Sequence, residues 1–322
     1  MTAVDSVAVL SGGVGAARFL AGLVDAIDAD RITAVVNTGD DTELHGLRIS
    51  PDLDTITYTL AGAIDAERGW GLAGETWAAM DALGRYAAIR PSGSAAAPQW
   101  FNLGDRDLAT HFYRTARLRE GATLTEVTDE IARAWDVPIR VVPMTDDRRA
   151  TLVTTTTEGE VSFQDYFVRL RHAVPVSGVR FDGRADLAEA AADALATAAV
   201  VVIAPSNPIV SIGPIRSLPS TDPILAARRE SVVAVSPIVG GAALKGPADR
   251  MLTELGHDAS VVGVARLYAP IASALVVDDV DAPLADRVEA EGVRCVVAPS
   301  VMSTRAAARR LALTTLDAAS AS

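Results

Sequence analysis

The feature that most constrains this chain is a repeated unit: a short run of consecutive apolar residues, a glycine-, serine- or proline-marked loop, then a helical stretch. A strand that is apolar on both sides cannot sit in a sheet with one wet face. It belongs in a parallel sheet covered by helices on both faces. Residues 6–10 and 32–37 are the first two such runs, and 200–204, 232–236, 260–265, 274–277 and 294–298 continue the series. Helical spacing of apolar residues separates many of them, as at 16–27, 185–199 and 303–317. The fold class read from this alternation is α/β, a doubly wound, mostly parallel Rossmann-like sheet.

Two stretches break the rhythm. Residues 91–100, rich in Pro, Ser, Gly and Ala, read as a mobile surface loop. Residues 140–143, 151–157 and 160–163 are short β runs, with Thr157-Glu158-Gly159-Glu160 as a hairpin turn between the last two. The expected organisation is a nucleotide-binding core of residues 1–133 and 182–322, with residues 134–181 inserted as a small β-rich subdomain.

Charge and cysteine usage narrow the function classes. The 322 residues carry 29 Lys and Arg against 41 Asp and Glu, a formal net charge of −12. Such a chain repels a phosphate polymer, and its basic residues do not cluster, so nucleic acid is not an expected partner. Lys245 is the only lysine. The single cysteine, Cys295, excludes an intramolecular disulfide and a multi-cysteine metal site, and its apolar neighbours mark it as a buried, inert thiol. No basic leader precedes an apolar stretch in residues 1–10, and no apolar run approaches the ~20 residues of a membrane span. A soluble cytoplasmic protein is the expectation.

Chemistry concentrates in the loops that end the strands. Ser11-Gly12-Gly13-Val14-Gly15 follows the first strand and opens a helix, which places backbone N–H groups where a phosphate or diphosphate binds. The dinucleotide fingerprint is only partly met, because Arg18 stands at its third glycine, and no Walker A lysine is present. The second strand ends in Asn37-Thr38-Gly39-Asp40-Asp41, and Ser50-Pro51-Asp52-Leu53-Asp54-Thr55 follows. These carboxylates suit Mg²⁺ shared with a phosphate substrate, or else Asp52 or Asp54 caps a helix beginning near Thr55. Gly104-Asp105-Arg106-Asp107 is either a local ion-pair network or an anchor for a polar ligand. His111, close by, reads as a hydrogen-bonding residue, since no other histidine stands at ligand spacing. Pro205-Ser206-Asn207-Pro208, Ser211-Ile212-Gly213-Pro214 and Ser236-Pro237-Ile238 end two later strands. Together with the first glycine loop they point to a nucleotide or diphosphate site.

In that order, these motifs make the chain resemble the 2-phospho-L-lactate transferase (CofD/FbiA) family, which builds the deazaflavin coenzyme F-420. The resemblance runs over nearly the whole chain. It implies transfer of a three-carbon acid phosphate from a guanosine-diphosphate-linked donor to the deazaflavin alcohol Fo, with GMP released and Mg²⁺ assisting. The arginine-rich, lysine-poor composition favours the actinobacterial branch and its enolpyruvyl donor over lactyl. By resemblance, Asp54, Thr55 and Arg106 bind Fo, with Asp54 and Arg106 catalytic; Asp54 would hold the attacking hydroxyl, accept its proton or ligate Mg²⁺, and the carboxylate grouping at the strand edge makes Asp54 and Asp40 the metal residues. Ser11, Gly12, Gly13, Gly15, Asn37, Ser206, Asn207, Ser211 and Gly213 would hold the donor's nucleotide and phosphates. Family members form homodimers, so a homodimer is expected.

Two rival readings come from other classes. A NAD-dependent oxidoreductase lacks support at the end of the second strand, where Asn37 stands in place of an acid. A non-catalytic nucleotide-binding regulator leaves Asp40, Asp41, Asp52 and Asp54 without a task.

Overall fold

In a computed structural model, residues 4–320 are described. The first three residues of the chain and the last two of its polar end lie outside them. The centre is a seven-stranded sheet whose strands, numbered here in chain order, are β1 (Val7–Ser11), β2 (Ile32–Val36), β3 (Arg140–Pro143), β4 (Val200–Ile203), β5 (Val232–Val235), β6 (Ala274–Val277) and β7 (Arg294–Val297). All are parallel, in the spatial order β7-β6-β5-β4-β1-β2-β3. β1 pairs Val7 with Ile32 on one side and with Val200 on the other. Strand order therefore reverses between β1 and β4, the point where such sheets open a crevice at their carboxyl ends.

The two-sided apolar strands explain the layers. Ala8, Leu10, Val201 and Ile203 face one core, with the helix at Val261–Tyr268 packed over it. Val7, Val9, Val200 and Val202 face the other. That second face is covered by α1 (Gly13–Val24) and the C-terminal helix Arg305–Ser320. Gly22 lets these two helices touch, because a methyl there would lie 2.6 Å from the Ala308 carbonyl oxygen.

Three more helices frame the site: α2 (Pro51–Leu60), α3 (Ala78–Ala87) and α4 (Asp107–Arg119). No regular element occupies the stretch between α3 and α4, which contains the expected loop. A separate antiparallel sheet, Gly159–Ser162, Ala150–Thr155 and Val176–Asp182, packs Val153, Phe163 and Tyr166 against Val210 and Met251 of the core. Among the described residues no helix is long and apolar enough to cross a membrane.

Three expectations are corrected. Residues 260–265 are not a strand: Ser260 accepts from the Val262 and Gly263 N–H groups and caps a helix, and Gly263 fits under the Asp258 carbonyl, where a methyl would lie 1.8 Å away. Residues 140–143, grouped above with the inserted segment, are the edge strand of the central sheet, pairing Thr33 with Arg140. The helix expected near Thr55 begins at Pro51, so Asp52 and Asp54 lie in its first turn and do not cap it; Asp52 instead accepts the Gly13 N–H at the start of α1.

Candidate functional site

A cavity of about 930 Å³ opens at the carboxyl ends of β1 and β4. One wall is backbone. Gly12 follows β1, and Gly13 has φ +70°, a conformation that glycine adopts without strain. The first N–H groups of α1 have no partner within the helix. That of Gly13 donates to Asp52 Oδ1 at 2.8 Å, and the next two belong to Val14 and Gly15, which line the cavity. The β4 loop braces this wall: Ser206 Oγ donates to the Gly12 carbonyl at 2.8 Å. A methyl on Gly15 would lie 2.2 Å from the Pro205 carbonyl oxygen, and one on Gly12 would lie 2.8 Å from Ser211 Cβ. Only glycine lets the two loops approach this closely.

Beneath the glycine wall lies an acidic floor. Asp52 accepts from Gly13 and from Asn37 Nδ2 at 2.9 Å, yet burial pushes its carboxyl up to about 6. Burial raises Asp41 to about 7, although Ser50 Oγ donates to it at 2.6 Å. Asp40 is held well above the usual carboxylate range by burial and then by the charge of Asp52. Its Oδ1 is buried without a hydrogen-bond partner, although the residue lines the cavity.

The opposite wall is a side-chain network between α2 and α4. Asp107, His111 and Arg114 follow at helical spacing, so one face of α4 meets Asp54. Arg114, fully buried, forks onto Asp54, with Nη1 to Oδ2 at 3.1 Å and Nη2 to Oδ1. His111 stands between the two acids, its Nδ1 3.7 Å from Asp54 and its Nε2 3.4 Å from Asp107. Tyr58 donates to Asp107 at 2.5 Å, and burial keeps its phenol protonated far above the ordinary range. Burial works to raise the Asp107 carboxyl, but His111, Tyr58 and Arg114 together hold it low.

The expected site residues divide accordingly. Gly12, Gly13, Gly15, Asp40, Asp54, Thr55, Ser206, Asn207 and Ser211 line the cavity. Ser11 turns its hydroxyl to the Val9 carbonyl, Asn37 holds Asp52, and Gly213 packs against Phe181. Arg106 is exposed and gives its guanidinium to the Ala73 carbonyl, outside the cavity lining. Its neighbours are structural: Asp105 accepts from Ala78 and Ala79 at the start of α3, and Glu75 accepts from Arg106 and Asp107 at the start of α4. His111 does hydrogen-bond, to Arg114 at 3.4 Å. Sequence reasoning missed Arg114 and Tyr58 altogether. The one available signal was the repeat Asp107, His111, Arg114 along a helix. Cys295 lies on the edge strand β7, partly buried, and burial pushes its thiol up.

Two groups of side chains at the site offer oxygen ligands to a hard cation. Asp54, Asp107 and His111 bring their ligand atoms within 4.8 Å of one another. Arg114 already engages both oxygens of Asp54, and Tyr58 takes one of Asp107. Asp40 fits better, because a buried carboxylate oxygen without a donor beside other acids is stabilised by a divalent ion.

Comparison with known proteins decides the family. Residues 7–312 match the profile described as 2-phospho-L-lactate transferase CofD. The chain belongs to the CofD family. As a CofD member it is a transferase of that class. It is 42% identical over 312 residues to the phosphoenolpyruvate transferase of Streptomyces avermitilis, covering 95% of each chain. It is 39% identical over 317 residues to the phosphoenolpyruvate transferase of Mycobacterium tuberculosis, covering 92% of this chain and 93% of that one. A crystal structure of a UPF0052 family member from Bacillus halodurans shares the fold at a TM-score of 0.59 and 14% identity, over 96% of this chain and 99% of that one.

Proposed function

We propose that this chain transfers the phosphoenolpyruvyl group of a guanosine-diphosphate-linked donor to the ribityl hydroxyl of the deazaflavin alcohol Fo. GMP leaves, and the product is a dehydro precursor of coenzyme F-420. One observation carries the reading: a single cavity has a phosphate-type glycine wall on one side and the Asp54 network on the other. Relatives at about 40% identity bear the name phosphoenolpyruvate transferase, which favours the enolpyruvyl over the lactyl donor. Trp70, Trp100 and Phe101 also line the cavity and suit a flat aromatic acceptor. Phe163 and Phe167 of the inserted segment lie over the same space, so we read that segment as its cover.

Phosphoryl transfer needs positioning and charge stabilisation more than covalent chemistry. In this reading the glycine wall holds the donor's phosphates and Asp54 accepts a hydrogen bond from the acceptor hydroxyl. The hydroxyl oxygen attacks the phosphorus bearing the acid, and the bond from that phosphorus to the GMP oxygen breaks with its electron pair. The hydroxyl proton passes to Asp54, with His111 beside it to carry it onward. Arg114 fixes Asp54 in place. Mg²⁺, if bound, would be held by Asp40, whose buried Oδ1 has no hydrogen-bond partner, and would offset the negative charge of the phosphates. Arg106, assigned to Fo by resemblance, must leave the Ala73 carbonyl to reach the acceptor.

The reading includes a cytoplasmic homodimer. Exposed Tyr86 and Ile89 near the end of α3, with Phe112 and Tyr113 on α4, support an interface there. The test is incubation of the purified protein with Fo, the enolpyruvyl donor and Mg²⁺. Product of the expected mass should form with one GMP per turnover. No product, or product without GMP, contradicts the reading.

A further inference from the structure

The cavity is rich in acid, with Asp40, Asp52, Asp54 and Asp107 on its walls, in a chain of net charge −12. A ligand carrying a diphosphate enters it only against a compensating positive charge. Four cationic groups lie on the lining: Arg68 and His111 are already committed, Arg18 is an exposed residue of α1, and Lys245 is the fourth. Arg68 binds Asp65 at 3.1 Å and the Leu72 carbonyl at 2.9 Å, and His111 stands between two carboxylates. Lys245 also lines the cavity, and among the described residues its ammonium has no hydrogen-bond or ion-pair partner.

Its position is specific. A methyl built on Gly69 would lie 3.0 Å from Lys245 Nζ and 3.8 Å from Val14 Cγ1, so the ammonium hangs close to the glycine wall. The segment that carries it is braced from below. Lys245 follows a hairpin of Ile238–Val239 and Ala242–Ala243, whose turn donates the Gly240 N–H to buried Asp281 at 2.9 Å. An exposed, unpaired ammonium on a braced hairpin over a phosphate-type loop has a geometry that serves an anion.

We propose that Lys245 is a substrate-contacting residue that meets the donor's diphosphate beside the glycine wall. Asp281 is the positioning residue that holds its hairpin. The chain lacks a lysine in the glycine loop itself, and the β5 loop delivers one to the same place from another part of the sequence. This rests on the donor reading given above, and the test separates the two.

The experiment is calorimetric titration of the wild-type protein and variants with GDP and, separately, with inorganic pyrophosphate. Lys245 is exposed, so its substitution leaves the folded core untouched. Lys245→Gln should weaken both ligands by roughly tenfold or more, the size of a lost charge-assisted contact. Lys245→Arg should keep most of the affinity, and Arg310→Gln, outside the cavity lining, should change neither. Unchanged affinity in Lys245→Gln overturns the proposal. So does an equal loss in Lys245→Arg, which would mark a role in loop shape, or the absence of pyrophosphate binding by the wild-type protein. Binding of pyrophosphate but not GDP, with the Lys245 dependence intact, would sink the guanosine donor and leave Lys245 in its role.

Discussion

The two walls of the cavity are built by opposite means. The glycine wall uses backbone from two adjacent parallel strands, and its loops touch because Gly12 and Gly15 present no side chain. The α2–α4 wall uses side chains alone: Asp54, His111, Asp107, Tyr58 and Arg114 form one buried network. A backbone wall tolerates exchange of many side chains but not an added methyl. A charged network fails when any single partner is removed, because burial makes an unpaired charge costly.

The largest expected effect follows from that contrast. Arg114→Met leaves Asp54 buried and unpaired, and should destabilise the protein by about 3–5 kcal/mol in denaturant titration. Adding Asp54→Asn should recover part of that stability while activity stays lost. Arg106→Ala should cost no comparable stability, since its side chain is exposed and bonded to one carbonyl. Equal losses for the two arginines would erase the distinction between the network and its surroundings.

Gly15→Ala tests the other wall. Its methyl meets a backbone carbonyl 2.2 Å away, so the β1 and β4 loops must part. The expected cost is about 1–3 kcal/mol of overpacking, with donor binding weakened more than acceptor binding. A variant that loses acceptor affinity instead would place the phosphates elsewhere.

How much of this was legible in the sequence follows the same division. The sheet was legible because strands covered on both faces must be apolar at consecutive positions, as in Val232–Val235. Residues 260–265 misled for the same reason: Ser-Val-Val-Gly-Val-Ala suits a buried strand or a buried helix, and only the Ser260 cap decides. The glycine loops were legible because they act through backbone at the ends of strands. The Asp54 network was legible at Asp54 and, in part, at Asp107 and His111, but not at Arg114 or Tyr58. Polar residues at helical spacing on α4 ordinarily mark a solvated face, and nothing local tells that Arg114 is buried against an acid 60 residues away. In the Gly-Asp-Arg-Asp segment, Asp105 answers to the α3 terminus and Arg106 to a distant carbonyl, which no spacing rule reveals.

A pH-dependent effect lies on the floor between the walls. Asp41 moves from its ordinary value of 3.8 to about 7 because it is buried. A carboxyl whose pKa is raised by folding contributes stability at low pH, and loses it as pH rises through the folded value. Stability should therefore fall between about pH 4 and 7, and Asp41→Asn, which keeps an acceptor for Ser50, should flatten that slope. Unfolding midpoints across this range check it, and an unchanged slope would place Asp41 in a solvated setting.

The central claim is that the group passes directly from the glycine wall to an acceptor held at the Asp54 wall. A donor made chiral at the transferred phosphorus reports this, with product configuration read by phosphorus NMR after one turnover. Direct in-line attack inverts the configuration, and inversion is the result predicted here. Net retention would mean that an enzyme side chain takes the group first, which would contradict transfer between the two walls.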